Sequence, residues 1–190
     1  KKYNLTEKII DYHILQLKQI NLLPLYNTNK KLAIIARIFG FLLGDGSINV
    51  YNKKNGGNTG QCQFDFGTEL DSIMFEDDIE LLGFTRCTPK QNSRTFNNVT
   101  HTTFSVSHNG PFPNLLIALG ITCGKKTEVE KKPLEDWIVK GSNMVKREFI
   151  SAFQGADGCK IRWNKKTHGY NFVCAETSKQ INPKYNLSLI

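Results

Sequence analysis

Ile38-Phe39-Gly40-Phe41-Leu42-Leu43-Gly44-Asp45-Gly46 and Ile150-Ser151-Ala152-Phe153-Gln154-Gly155-Ala156-Asp157-Gly158 share one pattern, 112 positions apart. Each closes an apolar helical run with an aspartate and then a glycine. Each carries small residues on the way: Gly40 and Gly44 in the first, Ser151, Ala152, Gly155 and Ala156 in the second. Small residues four apart let two helix backbones approach closely. A helix C-terminus is the negative end of its dipole, where an acid is disfavoured by about 0.3–1 kcal/mol. Asp45 and Asp157 therefore stand where helix stability alone does not place them. Gly46 and Gly158 are expected to take the left-handed conformation that stops a helix.

One such aspartate reads as an ordinary turn residue. Two in register, with the same small-residue ladder, read as a shared site. If the helices pack together, their ends bring two carboxylates beside two negative dipole ends, and the pair repels unless a cation lies between them. Hard oxygen donors suit Mg²⁺, which bridges carboxylates to phosphate oxygens and assists phosphodiester hydrolysis. The expected metal set is Asp45 and Asp157 with the adjoining helix-end residues Gly44 and Ala156.

Outward from the motifs, the chain alternates helical and strand periods. Residues 5–20 place Ile9, Ile10, Ile14, Leu15 and Leu17 near one side of a helix, with Thr6 as its cap. Leu32–Leu43 is an almost wholly apolar helix that must be buried. After Gly46 the period falls to two: Ile48 and Val50, then Cys62, Phe64 and Phe66, predict a half-buried hairpin. Helical spacing returns at 70–82, a second strand pair is expected across 84–91 and 100–108, and a helix at 112–119. The Asn-rich stretch 92–98 reads as a solvated loop. A charged linker follows, then a helix over 143–156 and strands at 160–164 and 170–176. The expected organisation is a helical extension at 1–31, a first repeat at 32–122, a linker at 123–142 and a second repeat at 143–190 that stops early.

The bulk composition agrees with a globular chain: 190 residues, 39% hydrophobic, twelve Phe. The best apolar run is short and interrupted by Arg37, which predicts no membrane span, and the Lys-Lys start lacks a signal peptide's apolar stretch. Five widely spaced cysteines, Cys62, Cys87, Cys123, Cys159 and Cys174, form no zinc pair and point to a reducing, intracellular compartment, cytoplasm or nucleus. His13, His101, His108 and His168 show no ligand spacing. Of the net charge of +8, +6 falls from Lys140 onward, where nine Lys or Arg face three Asp or Glu. That bias suits a polyanionic partner.

The two motifs resemble those of LAGLIDADG homing endonucleases, with the acid at the eighth position of each; the sixth position departs, being Leu43 and Gly155 rather than acidic. Leu23-Pro24-Leu25, Asn29–Leu32, Ile35–Gly40, Leu119–Ile121, Gly124–Lys126 and Trp137-Ile138 resemble the endonuclease domains carried by inteins, across roughly 22–160. The resemblance implies an α+β fold: a pseudo-twofold pair of αββαββα subdomains forming a saddle on double-stranded DNA, the second incomplete in this chain. It implies Asp45 and Asp157 as catalytic acids and a basic helper before the second motif. Lys132 matches that helper best, and Lys131 is its rival.

Gln61, Gln63 and Asp65 in one repeat, and Lys160, Arg162 and Asn164 in the other, alternate with apolar residues on predicted strands. Amides and guanidinium groups pair with base edges in the major groove. Lys53, Lys54, Lys165 and Lys166 stand at hairpin turns, suited to phosphates. Two functions follow: a Mg²⁺-dependent double-strand endonuclease, or a DNA- or RNA-binding relic of the same fold, maturase-like, that has lost chemistry. Because the second repeat ends early, a further segment or a second chain is expected to complete it. The start at Lys1 and the end in Leu-Ile carry no splicing residues.

Overall fold

The computed structural model describes residues 7–53, 57–124, 134–158, 162–164, 166 and 168–171, with backbone alone at 52–53, 57–58, 157, 162–164 and 169–171. The expected Thr6 cap, Lys54, Lys131, Lys132, Cys159, Lys160, Lys165, Cys174 and the strand beyond 171 lie outside the described residues. In order, the elements are α1 (Glu7–Gln19), α2 (Lys30–Gly44), β1 (Ser47–Lys53), β2 (Gly57–Phe66), α3 (Glu69–Leu82), β3 (Lys90–Phe96), β4 (Val99–Asn109), α4 (Pro111–Ala118), α5 (Asp136–Val139), α6 (Asn143–Asp157), β5 (Arg162–Asn164) and β6 (Gly169–Asn171). This is an α+β fold. Among the described residues no helix is long and apolar enough to cross a membrane, and Cys62, Cys87 and Cys123 are free thiols.

Contacts divide the chain into two compact units, Lys1–Tyr26 with Gly46–Gly124, and Asn27–Asp45 with Lys125–Ile190. The boundaries expected from the sequence follow the repeat. The units follow packing, and they group α2 with the second motif.

The first unit is built on an antiparallel sheet of order β1-β2-β4-β3. Period-two alternation gives it an apolar face, where Ile48, Cys62, Phe64, Phe66 and Val106 are buried. Phe75, Ile79 and Leu82 of α3 and Phe112, Leu115 and Leu116 of α4 complete this core, with the Phe75 ring 4.4 Å from Phe64 and 5.3 Å from Phe66. Thr68 caps α3, its Oγ1 accepting from the Asp71 N–H at 3.1 Å. Gly83 ends α3 in the left-handed region, φ 102°. On α1 only Leu17 is buried, while Ile10, Ile14 and Leu15 are exposed, so the apolar side expected there is largely outside the core.

The expectation for 84–98 is corrected. Residues 84–89 form no strand; β3 begins at Lys90 and runs through the stretch expected to be a loop. Asn97 and Asn98, with φ of 48° and 60°, join β3 to β4 in a two-residue turn. Asparagine tolerates left-handed backbone, and two such residues match the twist of a tight hairpin.

In the second unit, Ser142 caps α6 by accepting from the Val145 N–H at 3.3 Å. Val145, Phe149 and Phe153 make a buried stripe at four-residue spacing, with Leu134 and Ile138 also buried. α5 therefore turns part of the expected linker into packed structure. Phe39 of α2 meets Trp137 edge-on at 5.3 Å and lies 6.4 Å from the Phe149 ring.

Candidate active site and nucleic-acid interface

The motif helices α2 and α6 pack directly on each other. Arg37 donates to Glu148 at 2.9 Å. One turn on, Gly40 faces Phe149 and Phe153: a Cβ at position 40 would overlap the Phe149 carbonyl oxygen and lie 3.1 Å from the Phe153 nitrogen. Contacts advance in the same direction on both helices, so the helices are parallel. Asp45 is five residues beyond Gly40 and Asp157 four beyond Phe153. At about 1.5 Å per residue both chains leave their helices at nearly the same level.

Asp45 is the C-cap of α2, at φ −100°, ψ −14°, its N–H donating to the Phe41 carbonyl at 3.0 Å. The residue is exposed. Asp157 is the last residue of α6. Neither helix has a basic residue in its last turn, where a cation would complement the negative dipole end. Gly44 and Ala156 each precede their aspartate, in the last turns whose carbonyls form the negative helix ends.

The glycines after the acids correct an expectation. Gly158 is extended, φ −90°, ψ 166°, and Gly46 is not among the glycines with positive φ. Gly46 leads at once into β1, which calls for extended backbone rather than a reversal. Gly158 is small for a different reason, since a Cβ there would overlap the Gln154 side chain. The small-residue ladder also divides: Gly40 lies in the helix contact, whereas a Cβ at Gly155 would meet nothing within 4 Å.

The other face of the first unit's sheet is polar. Gln63 and Asp65 are exposed and Gln61 is half-buried, and the register places Gln63 beside Ser107 and Asp65 beside Ser105. Lys90 pairs with Ser105, Asn92 with Thr103 and Arg94 with His101, so these residues extend the same face. A loop at 92–98 hides them; the Asn97-Asn98 pair, suited to a two-residue hairpin turn, is the signal that finds them. Lys53 ends β1 and Lys166 lies exposed in the turn between β5 and β6. Arg162 and Asn164 occupy alternate positions of β5, opposite Asn171 and Gly169.

Beneath the sheet, histidine spacing concealed a buried network. His108 Nε2 lies 2.8 Å from Glu76 Oε1, and Glu76 Oε2 accepts from the Cys87 N–H at 2.6 Å. The Cys87 sulfur is 3.7 Å from His108 Nδ1. Among the described residues, Glu76, Cys87 and His108 are the one cluster compact enough to hold a metal ion. Both carboxylate oxygens are already engaged, so the cluster is a polar staple fixing 84–89 to α3 and β4. Burial pushes the Cys62 thiol well up, and burial with the Glu76 charge raises Cys87.

No family model matches the chain. It is 33% identical over 177 residues to the tRNA-splicing ligase RtcB of Methanocaldococcus jannaschii, covering 85% of this chain and 17% of that protein. It is 28% identical over 171 residues to DNA-directed RNA polymerase subunit Rpo1N of the same organism, covering 83% of the chain. The chain thus spans about a sixth of the first of these relatives and 12% of the second. Among solved structures it is similar to the homing endonuclease I-WcaI bound to its DNA recognition sequence, at 16% identity and TM-score 0.53, covering 90% of this chain and 75% of that one. A slighter likeness, TM-score 0.44 and 12% identity over 73% of each chain, is to I-DmoI in complex with DNA and Mn. The chain has the fold of LAGLIDADG homing endonucleases.

Proposed function

We propose that the chain is a site-specific double-strand DNA endonuclease of the LAGLIDADG type, carried as an inserted, intein-borne module. The observation that carries the catalytic part is the parallel α2–α6 pair, closed at Gly40, which ends both helices on an aspartate at one level. Its insertion into host proteins is supported by the relatives: an RNA ligase and an RNA polymerase subunit share no activity, yet each matches this chain over a small part of its length.

The donor set fits a hard divalent cation: an exposed Asp45 carboxylate, the second motif acid Asp157, and carbonyls at two negative helix ends, Gly44 and Ala156, with no basic residue in either last turn. Mg²⁺ bound there would supply charge for an attacking water and for the leaving oxygen. Asp45 and Asp157 would hold it, each helix serving one strand of the duplex, and Lys132 would assist the proton movement. The helix contact would hold the two acids at one level. The polar sheet face, through Gln61 and Gln63, would lie in the major groove, where a β-ribbon fits. In the second repeat Lys160, Arg162 and Asn164 would do the same, while Lys53, Lys54, Lys165 and Lys166 neutralise phosphates. The two repeats would together form the pseudo-twofold saddle.

The test is cleavage of a plasmid carrying a selected target, with and without Mg²⁺, by wild type, Asp45→Asn and Asp157→Asn. Linear product from wild type, lost in either variant while binding persists, is expected. Binding without cleavage by the wild type, in Mg²⁺ and in EDTA alike, would identify a binding protein that has lost chemistry.

A further inference from the structure

Asp65 is the one carboxylate among the described residues on the polar sheet face, and it is held in place from two strands. Ser105 Oγ on β4 donates to Asp65 Oδ1, and Asn92 Nδ2 on β3 donates in turn to Ser105 Oγ at 2.8 Å. Along β2, Gln63 Nε2 lies 3.3 Å from both Asp65 oxygens. Asp65 therefore accepts from its neighbours and has acceptor capacity left, since a carboxylate offers about four lone-pair sites. With Nε2 turned to Asp65, the atom of Gln63 not engaged there is Oε1, also an acceptor.

From this we infer that Asp65, positioned by Ser105 and Gln63, is a specificity-determining residue that selects a cytosine in bound duplex DNA. The inference rests on the DNA-binding reading of this face. A fixed carboxylate repels phosphates, so its favourable partner in a groove is a base amino group. Guanine presents only acceptors on its major-groove edge, and adenine sets an acceptor beside its amino group; cytosine presents the N4 amino donor alone. Two neighbouring acceptors, Asp65 and Gln63 Oε1, match cytosine and oppose guanine.

The experiment is selection of bound duplexes from a randomised library with the whole chain, wild type and Asp65→Asn in parallel, followed by Ser105→Ala. Asparagine offers one acceptor and one donor, the pattern that pairs with adenine. The expected result is one position at which wild type prefers cytosine by roughly tenfold or more, changed to adenine in Asp65→Asn and flattened in Ser105→Ala. Enriched duplexes with identical base preferences in wild type and Asp65→Asn would overturn the inference and leave DNA binding standing. No enriched duplex at all would overturn the DNA-binding reading and this inference with it.

Discussion

Gly40 on α2 sits so close to Phe149 on α6 that any side chain at position 40 would overlap the Phe149 carbonyl oxygen. The neighbour is backbone, which cannot turn aside as a flexible side chain can. The close approach of the two motif helices is therefore set by a glycine five residues before Asp45.

Gly40→Ala is expected to push the helices apart and cost about 1–3 kcal/mol, the range for overpacking. Cleavage should fall further than stability alone accounts for, because the proposed metal site widens. Gly155→Ala is the contrast: with nothing near its Cβ, it should gain about 0.5–1 kcal/mol from helix propensity. Urea unfolding of both variants checks the pair, and equal destabilisation would show that Gly40 is not special to the contact.

Glu76 is fully buried, and its two oxygens bind His108 and the Cys87 backbone. Glu76→Ala leaves both partners without an acceptor and should cost about 3 kcal/mol. The loss should appear as a lowered unfolding midpoint and as faster amide exchange at Cys87. A midpoint within experimental error of wild type would mean that the network contributes little.

Much of this organisation is legible in the residues. Strict alternation at Ile48–Val50 and Cys62–Phe66 identifies β1 and β2, because one buried face fixes every second side chain. The apolar helix and the two acidic ends are equally plain. What escapes is non-local. Lys90–Phe96 has no apolar alternation, since six of its seven residues are polar or charged and its partner strand decides that it is a strand. His108 appears isolated because Glu76 and Cys87, its partners, are 32 and 21 positions away. Gly158 looked like a left-handed cap, and only the crowding from Gln154 explains it.

The raised thiols of Cys62 and Cys87 give a pH prediction. Both ionise above the ordinary value of 9.0 in the folded chain, so the fold favours their protonated forms. That contribution is complete below pH 9.0 and is lost as the pH rises further, when the unfolded thiols ionise first. Iodoacetamide labelling at pH 8 should be slow in the native protein and rapid in urea; Cys62, fully buried, should be slowest. Native labelling of Cys87 as fast as that of a free thiol would contradict the direction of its shift.

Lys166, exposed in the turn between β5 and β6, tests the division between holding DNA and reading it. A lysine that meets a phosphate releases about one counterion on binding, so the slope of log affinity against log salt should shrink by about 0.9 in Lys166→Ala. The loss should be the same for every duplex, because phosphates carry no sequence. Asp65→Asn, by contrast, should change which duplex is preferred while leaving the salt slope nearly unaltered. Affinity measured across a salt series on two unrelated duplexes separates these outcomes. If Lys166→Ala weakened one duplex and spared the other, the lysine would be reading bases and the proposed role of the turn would be wrong.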